Sequence, residues 1–483
     1  MVNTQLFEMI RALNEEERSE VMHFATIPFF NAGRMRAYVE PLIGVCVDYL
    51  EHNPDDNLEK TNVYSALFQD EKPVSGKLEK VFVEAQKLIR QYLLAKYYFR
   101  EQNEFYQTFD FAEIARVKGL EGKYKQSMTR LIQMQEQAPA KNAIHFHQQF
   151  QLETAIHYVE SIENQYRGDI NIPNVLHATE MYYQIRKVTL LSRYLLQLKV
   201  AKLETPEFIQ EQIENLQVPE RCLEDSEQLK INLEIFKAMR KESLESSDIR
   251  ALFNLLKTYE PKLDDETLQE FYTYLRNFAV LVIRTDRENY DTYHLHYELI
   301  RDNLKRGYLH YEGRLTPNRY LSIIMTATLV KEFEWALEIL EENKNCLHGE
   351  NEDSDIYRFT KARYLFAMGE FAECLDILPD NSPYIEFFLL GKRLEIMVYY
   401  ELGSELLQFK LDAFKAYLSR TARKVLPDIL REGQTSFINF LYQLVASVPG
   451  DKARSDRVAK RIRENKHVAE WHWVLEKAEA LKR

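Results

Sequence analysis

Glycine and proline are scarce. The chain holds 14 of each in 483 residues, about half of the roughly 12% the two usually share. Positive-φ turns and bulges, which β-rich folds consume, are therefore in short supply, and helices gain. Cysteine is scarcer still. Cys46, Cys222, Cys346 and Cys374 lie far apart and form no Cys-x-x-Cys, which fits a reducing compartment with each thiol as a small buried hydrophobe. Long apolar runs are missing: the best, residues 42–47 and 278–283, fall well short of the roughly 18 needed to span a bilayer. The opening segment carries Glu8, Glu15, Glu16 and Glu17 and no apolar stretch of signal-peptide length. A cytoplasmic protein without membrane insertion is expected.

Catalytic signatures are missing too. There is no Gly-x-Ser-x-Gly and no His-Glu-x-x-His, and Gly119 and Gly122 are not followed by the Lys-Ser or Lys-Thr of a phosphate loop. The pairs His145/His147 and His294/His296 are spaced i, i+2, about 200° apart on a helix, so neither converges on a metal ion. Surface or half-buried helical histidines are expected. Asp55-Asp56 and Asp264-Asp265 stand at breaks before helices, where they oppose the positive end of the helix dipole. The expectation is a non-enzyme with no cofactor, no metal and no catalytic residues.

What is present is material for helices. Hydrophobic residues make up 45% and charged residues 29%, enough to bury a core and too well mixed for wholesale disorder. Phe387, Leu390, Leu394 and Met397 recur at helical spacing, as do Tyr320, Ile323, Ala327 and Val330. Thr205-Pro206, Thr316-Pro317 and Ser382-Pro383 each place a hydroxyl at the N-cap and proline at the first helical position. Helices are predicted near Thr4, Asn14 and Thr61 and over residues 75–100. Further on, Leu176, Tyr183, Leu190 and Leu191 are read as one buried stripe. The chain divides into an N-terminal helical region (1–108), a middle helical region (109–288), a repeat block (289–425) and basic C-terminal helices (426–483).

The repeat is explicit. Phe333, Ala336, Leu337 and Leu340 map onto Phe371, Cys374, Leu375 and Leu378, each shifted by 38 positions. The helix before obeys the same shift, Leu321 to Phe359, Ile324 to Ala362 and Ala327 to Leu365. A third unit steps 34 residues, from Gly369 to Gly403, with Leu407, Leu411, Phe414 and Leu418 in a less regular second helix. Helix pairs at this period are tetratricopeptide-like: one hairpin cannot bury both faces, and stacked hairpins share a core and leave a groove lined by their first helices. The predicted fold is all-α, an α-α superhelix with flanking non-repeating helical regions.

Pro28-Phe29-Phe30-Asn31, Val63-Tyr64-Ser65-Ala66-Leu67-Phe68, Gly307-Tyr308-Leu309, Glu332-Phe333-Glu334-Trp335-Ala336 and Tyr399-Tyr400-Glu401-Leu402-Gly403 together resemble an uncharacterised family of bacterial tetratricopeptide-like helical-repeat proteins. The resemblance spans nearly the full length and implies architecture alone, since the family carries no assigned activity.

Charge supplies the functional candidate. The net charge is −12, which disfavours general nucleic-acid binding. Yet residues 410–483 hold 16 basic and 9 acidic side chains, a local excess of +7. Within it Arg454, Arg457 and Arg461 share a helix face beside Lys460, and Val458 and Ile462 mark an apolar stripe. The ordinary reading is a solvated face of the last helix, which can also dock onto an acidic surface of the same chain. The functional one is partner binding through Arg454, Arg457, Lys460 and Arg461. The expected function is a scaffold that binds another protein through the groove of residues 316–420 or the basic end; a nucleic-acid-associated regulator is the alternative.

Overall fold

In the computed structural model, residues 4–52, 59–68, 74–163, 171–200, 204–311, 313–344, 347, 355–380, 385–465 and 467–482 are described. Among them the regular structure is twenty-four α-helices and two short 3-10 turns, with isolated bridges pairing Tyr311 with Arg314 and Leu315 with Leu347 and no strand. No helix among these residues is long and apolar enough to cross a membrane. Cys346, Asp55-Asp56 and Ser382-Pro383 lie outside the described residues.

Two units are distinguished. The first is Met1–Ala138 with Gln151–Asn171, the second Pro139–Phe150 with Ile172–Arg483. The first holds α1 (Thr4–Arg11), α2 (Glu15–Thr26), α3 (Arg36–His52), α4 (Lys60–Phe68), α5 (Lys77–Tyr98), α6 (Glu104–Val117), α7 (Glu121–Glu136) and the later part of α8 (Ala143–Glu163). Asn14 and Glu17 cap α2 reciprocally: Asn14 Oδ1 accepts the Glu17 N–H at 2.9 Å and Glu17 Oε2 the Asn14 N–H at 3.1 Å. The expected helices are α1, α2, α4 and α5. α3 is additional, and its Pro41 is tolerated within the helix. Leu6, Ile10, Leu42, Ile43, Leu78 and Ile89 centre one core, and Phe105, Leu131 and Leu152 a second.

The second unit begins with α9 (Ile172–Val200), α10 (Glu207–Glu214), α11 (Glu220–Asp225), α12 (Glu227–Arg240), α13 (Ser246–Tyr259), α14 (Asp265–Thr285) and α15 (Tyr290–Lys305). The expected stripe on α9 is corrected. Leu176, Tyr183 and Leu190 are exposed, and the buried face is Ala178, Met181, Ile185, Val188 and Leu191. Both faces of α9 are apolar, so periodicity alone does not choose between them. α10 starts one residue later than expected, with Pro206 at the N-cap. Asp264 caps α14 as expected, accepting the Thr267 N–H at 2.9 Å.

Three hairpins follow: α16 (Pro317–Leu329) with α17 (Phe333–Glu342), α18 (Asp355–Met368) with α19 (Phe371–Ile377), and α20 (Ile385–Glu401) with α21 (Leu407–Arg420). Thr316 is the N-cap of α16, although its hydroxyl makes no capping bond. Each first helix closes in the same way. The N–H of the residue directly after the turning position reaches five residues back, Glu332 to Ala327 O (2.9 Å), Glu370 to Leu365 O (3.0 Å) and Ser404 to Tyr399 O (3.0 Å). The turning residue has positive φ, and it is Lys331, Gly369 and Gly403 in turn. The 38-residue shift survives in the packing: Ile324 and Ala362, like Ala336 and Cys374, are fully buried, whereas Leu337 turns outward and Ile339 takes its place in the core. The second helix of the third hairpin is as regular as the others, with Leu407, Leu411, Phe414 and Leu418 all buried.

The chain closes with α22 (Asp428–Val445), α23 (Lys452–Glu464) and α24 (Trp471–Ala480). Successive cores share helices. α12 contributes Leu229 and Phe236 to one core and Ile231 and Ile235 to the next, and α15 divides Leu295 and Leu299 from Tyr297 and Ile300. α20 gives Phe387 and Leu394 to the hairpin core and Leu389, Ile396 and Met397 to the C-terminal one.

Candidate functional site

The basic helix proposed from sequence is α23. Asp451 caps it, accepting the Arg454 N–H at 2.9 Å. Ser455, Val458, Ala459 and Ile462 form its buried face, and the Ser455 hydroxyl donates to the Ala478 carbonyl of α24 at 2.7 Å. Arg454 donates through Nη2 to the Gln443 carbonyl of α22 at 3.3 Å. Arg461 donates to Gln443 Oε1 at 2.9 Å and lies over the Phe440 ring. Lys460 stands 3.8 Å from Glu464, and Arg457 donates to the Ala453 carbonyl of its own helix at 3.2 Å. The structure thus brings Arg454 and Arg461 together at Gln443 and leaves Arg457 and Lys460 facing solvent. Arg463, outside the proposed set, pairs with Glu288 at 3.0 Å and Glu479 at 2.6 Å.

Sequence reasoning missed where the C-terminal segment goes. α24 and the residues before it pack on the first helices of the second and third hairpins, the side expected to line an open groove. Trp473 donates from Nε1 to Glu401 Oε1 of α20 at 2.6 Å, with its ring edge-on to Tyr400 and near Phe366 of α18. Lys477 pairs with the same Glu401 oxygen at 2.7 Å. Further back, Arg287 donates to the Val468 carbonyl at 3.1 Å, and the His472 ring lies 2.8 Å from the Arg287 carbonyl.

The centre of this packing is ionic. Glu470 accepts from Arg393 Nε at 3.0 Å and from Arg363 Nη2 at 3.1 Å, and Arg393 Nη1 donates to Gln434 Oε1 at 2.8 Å. All three charged side chains are nearly buried. Burial alone pushes the Glu470 carboxyl up, but the charges of Arg363 and Arg393 outweigh it and hold the group at about 2. Glu470 also has φ +51°, a left-handed conformation that a non-glycine residue adopts at a cost. In the sequence Arg393 stands between Lys392 and Glu395 on α20, so nothing local marks it as the charge that is buried and needs a partner.

A second concave feature lies between α12 and α13. It is a groove of about 490 Å³ with Leu223, Leu233, Leu252 and Leu255 along its floor. Lys230 and Lys237, at i and i+7 on α12, line one side together with Lys241 at the C-cap of that helix. Glu234 pairs with Lys237 and Asp248 with Lys241, both at 2.6 Å, and Lys230 lies over the Tyr259 ring.

The histidine pairs split as their spacing requires. His145 and His296 are buried while His147 is half-buried and His294 exposed, so burial is deeper than expected for one member of each pair. Burial, with a nearby cation, lowers both buried rings to about 4, Lys141 acting on His145 and Arg276 on His296. Among the described residues no group of three or more His, Cys, Asp or Glu side chains is placed to hold a metal ion. Compared with known proteins, the chain matches no family model, no curated protein and no solved structure.

Proposed function

We propose that this chain is a non-enzymatic scaffold of tetratricopeptide-like, superhelical design that binds another protein. The repeated hairpin closures and the cores handed on through α12, α15 and α20 support the architecture. The observation that carries the binding role is the α12–α13 groove. An apolar floor edged by Lys230, Lys237 and Lys241, the last two also paired with Glu234 and Asp248 of the same lining, suits an amphipathic helix whose apolar face is flanked by a carboxylate facing Lys230. Because the C-terminal segment covers the first helices of the second and third hairpins, docking is assigned to this groove. The test is affinity capture with the full chain and with Lys230→Glu/Lys237→Glu. A prey retained by the wild type and lost by the variant is expected. Identical prey lists, or none, sink the reading, and Arg457→Glu serves as the control that keeps the prey.

The nucleic-acid alternative has the solvent-facing Arg457 and Lys460 in its favour. Against it, Arg454 and Arg461 are engaged by Gln443. Titration with DNA and RNA at two salt concentrations decides: this reading requires binding at low salt that reversal of Arg454, Arg457 and Arg461 abolishes.

A further inference from the structure

We propose that the junction of α14, α15 and α16 binds a small oxyanion, a phosphate- or carboxylate-bearing molecule, through Arg276, Arg319, His296 and the side-chain amide of Asn303. This site stands apart from the α12–α13 groove and does not rest on the protein-binding reading.

The first observation is uncompensated charge. Arg276 of α14 donates through Nη1 to Asn303 Oδ1 and through Nη2 to Thr273 Oγ1, the latter at 3.0 Å. Arg319, in the first turn of α16, donates to the Leu309 carbonyl at 2.8 Å. All three acceptors are neutral, and neither guanidinium has a carboxylate within ion-pair distance among the described residues. Of the six acids on α14 and α15, four are taken elsewhere, and Glu266 and Asp291 form no ion pair with either arginine among the described residues. Glu270 pairs with Arg193 at 2.7 Å, Glu298 with Arg250, and Asp302 with Lys257 and Arg306 at 3.1 and 2.8 Å. Asp265 accepts the Tyr308 hydroxyl at 2.5 Å. Burial and the charge of Arg319 lower Arg276 to about 10. A cation withdrawn from water without an opposite charge is strongly disfavoured, and an arriving anion relieves that cost.

The second observation is an orphan donor. Asn303 is fully buried, and its Nδ2 has no hydrogen-bond partner, although its own Oδ1 abuts the Arg276 guanidinium. Buried amide donors are rarely left unmade. The buried ring of His296 lies near enough to Arg276 for the guanidinium charge to act on it. The uncapped first turn of α16, from which Arg319 projects, adds the positive end of a helix dipole.

Burial grades across the cluster: Arg319 is exposed, Arg276 half-buried, and His296 and Asn303 buried. An oxyanion entering from solvent meets Arg319 first and then a planar guanidinium and an amide, donors suited to paired bonds with its oxygens. Phosphate and carboxylate share this chemistry.

Thermal unfolding of the full chain in inorganic phosphate, in acetate and in chloride at equal ionic strength tests the proposal. One of the first two is expected to raise Tm by about 2 °C or more over chloride through binding to the native state. A phosphate response assigns a phosphoryl group and an acetate response a carboxylate. Arg319→Gln, at an exposed position and with unchanged circular dichroism, is expected to abolish the shift, while Arg457→Gln retains it. Absence of any shift over chloride, or a shift that survives both Arg319→Gln and Arg276→Gln, overturns the proposal.

Discussion

The turns of the three hairpins differ by one side chain, and that difference is measurable. Lys331 holds φ +65° where the next two hairpins place Gly369 and Gly403. An L-residue in this region costs about 1–2 kcal/mol, against roughly 0.5–1 kcal/mol for the extra unfolded-state entropy of glycine. Lys331→Gly is therefore expected to stabilise the chain by about 0.5–1 kcal/mol in urea unfolding. Glu470 presents the opposite case. Glu470→Gln leaves Arg363 and Arg393 buried without a counter-charge and is expected to destabilise by about 3–5 kcal/mol, whereas replacing all three by apolar residues of similar volume is expected to be near neutral. Acid acts with the same sign on Glu470 and on the buried histidines His145 and His296. Glu470, depressed to about 2 by its arginines against its own burial, contributes stability that is present above 4.5 and lost as pH falls from there toward 2. His145, lowered from 6.5 to about 4, stays neutral in the folded chain while the unfolded chain takes up a proton. Its contribution is therefore complete above 6.5 and is lost as pH falls toward 4. Between pH 7.5 and pH 5 that loss is on the order of 2 kcal/mol, and because His296 is lowered alike, His145→Gln is expected to reduce the slope of the urea-midpoint profile over this window without removing it.

Among elements, the hairpins were legible in the sequence because packing repeats with them. Ala336 and Cys374 sit 38 positions apart, both fully buried, because the second helix of each hairpin approaches the first closely at this point. Ala336→Leu and Cys374→Leu are each expected to cost about 1–3 kcal/mol by overpacking, with Cys374→Ala milder; denaturant midpoints of the three variants check the order. The basic character of α23 and its apolar face, Val458 and Ile462, could also be read from spacing. The face that α9 buries could not, because Leu176, Tyr183 and Leu190 are spaced as helically as Met181, Ile185 and Val188. α3 was hidden by Pro41. The ionic centre at Glu470 was hidden more deeply, since its arginines lie 107 and 77 positions away and no local pattern links them. Periodicity reports what one helix can bury, and a buried charge pair is settled by helices that meet only after folding.

For the whole molecule, the charge asymmetry of the sequence finds partners inside the second unit. The positive C-terminal helices place Arg463 on Glu288 and Lys477 on Glu401, and the one buried acid among them, Glu470, meets arginines of earlier helices. That unit also includes an earlier segment of the chain, residues Pro139–Phe150. The start of α8 is held there by several bonds. Asn142 Nδ2 donates to Asp264 Oδ2 at 2.9 Å, the Ala143 N–H to Gln228 Oε1 at 3.1 Å, and the Ser226 hydroxyl to the Lys141 carbonyl at 2.9 Å. Phe146 is buried in the core built by Met181, Ile185 and Val188 of α9. A fragment beginning at residue 172 removes all of this, and the loss of Phe146 alone removes about 3–5 kcal/mol of packing. A chain of residues 139–483 is therefore expected to melt cooperatively at a clearly higher Tm than one of residues 172–483, by circular dichroism at equal concentration. Equal melting of the two fragments would mean that the start of α8 adds no stability to the second unit, and its assignment there would fall.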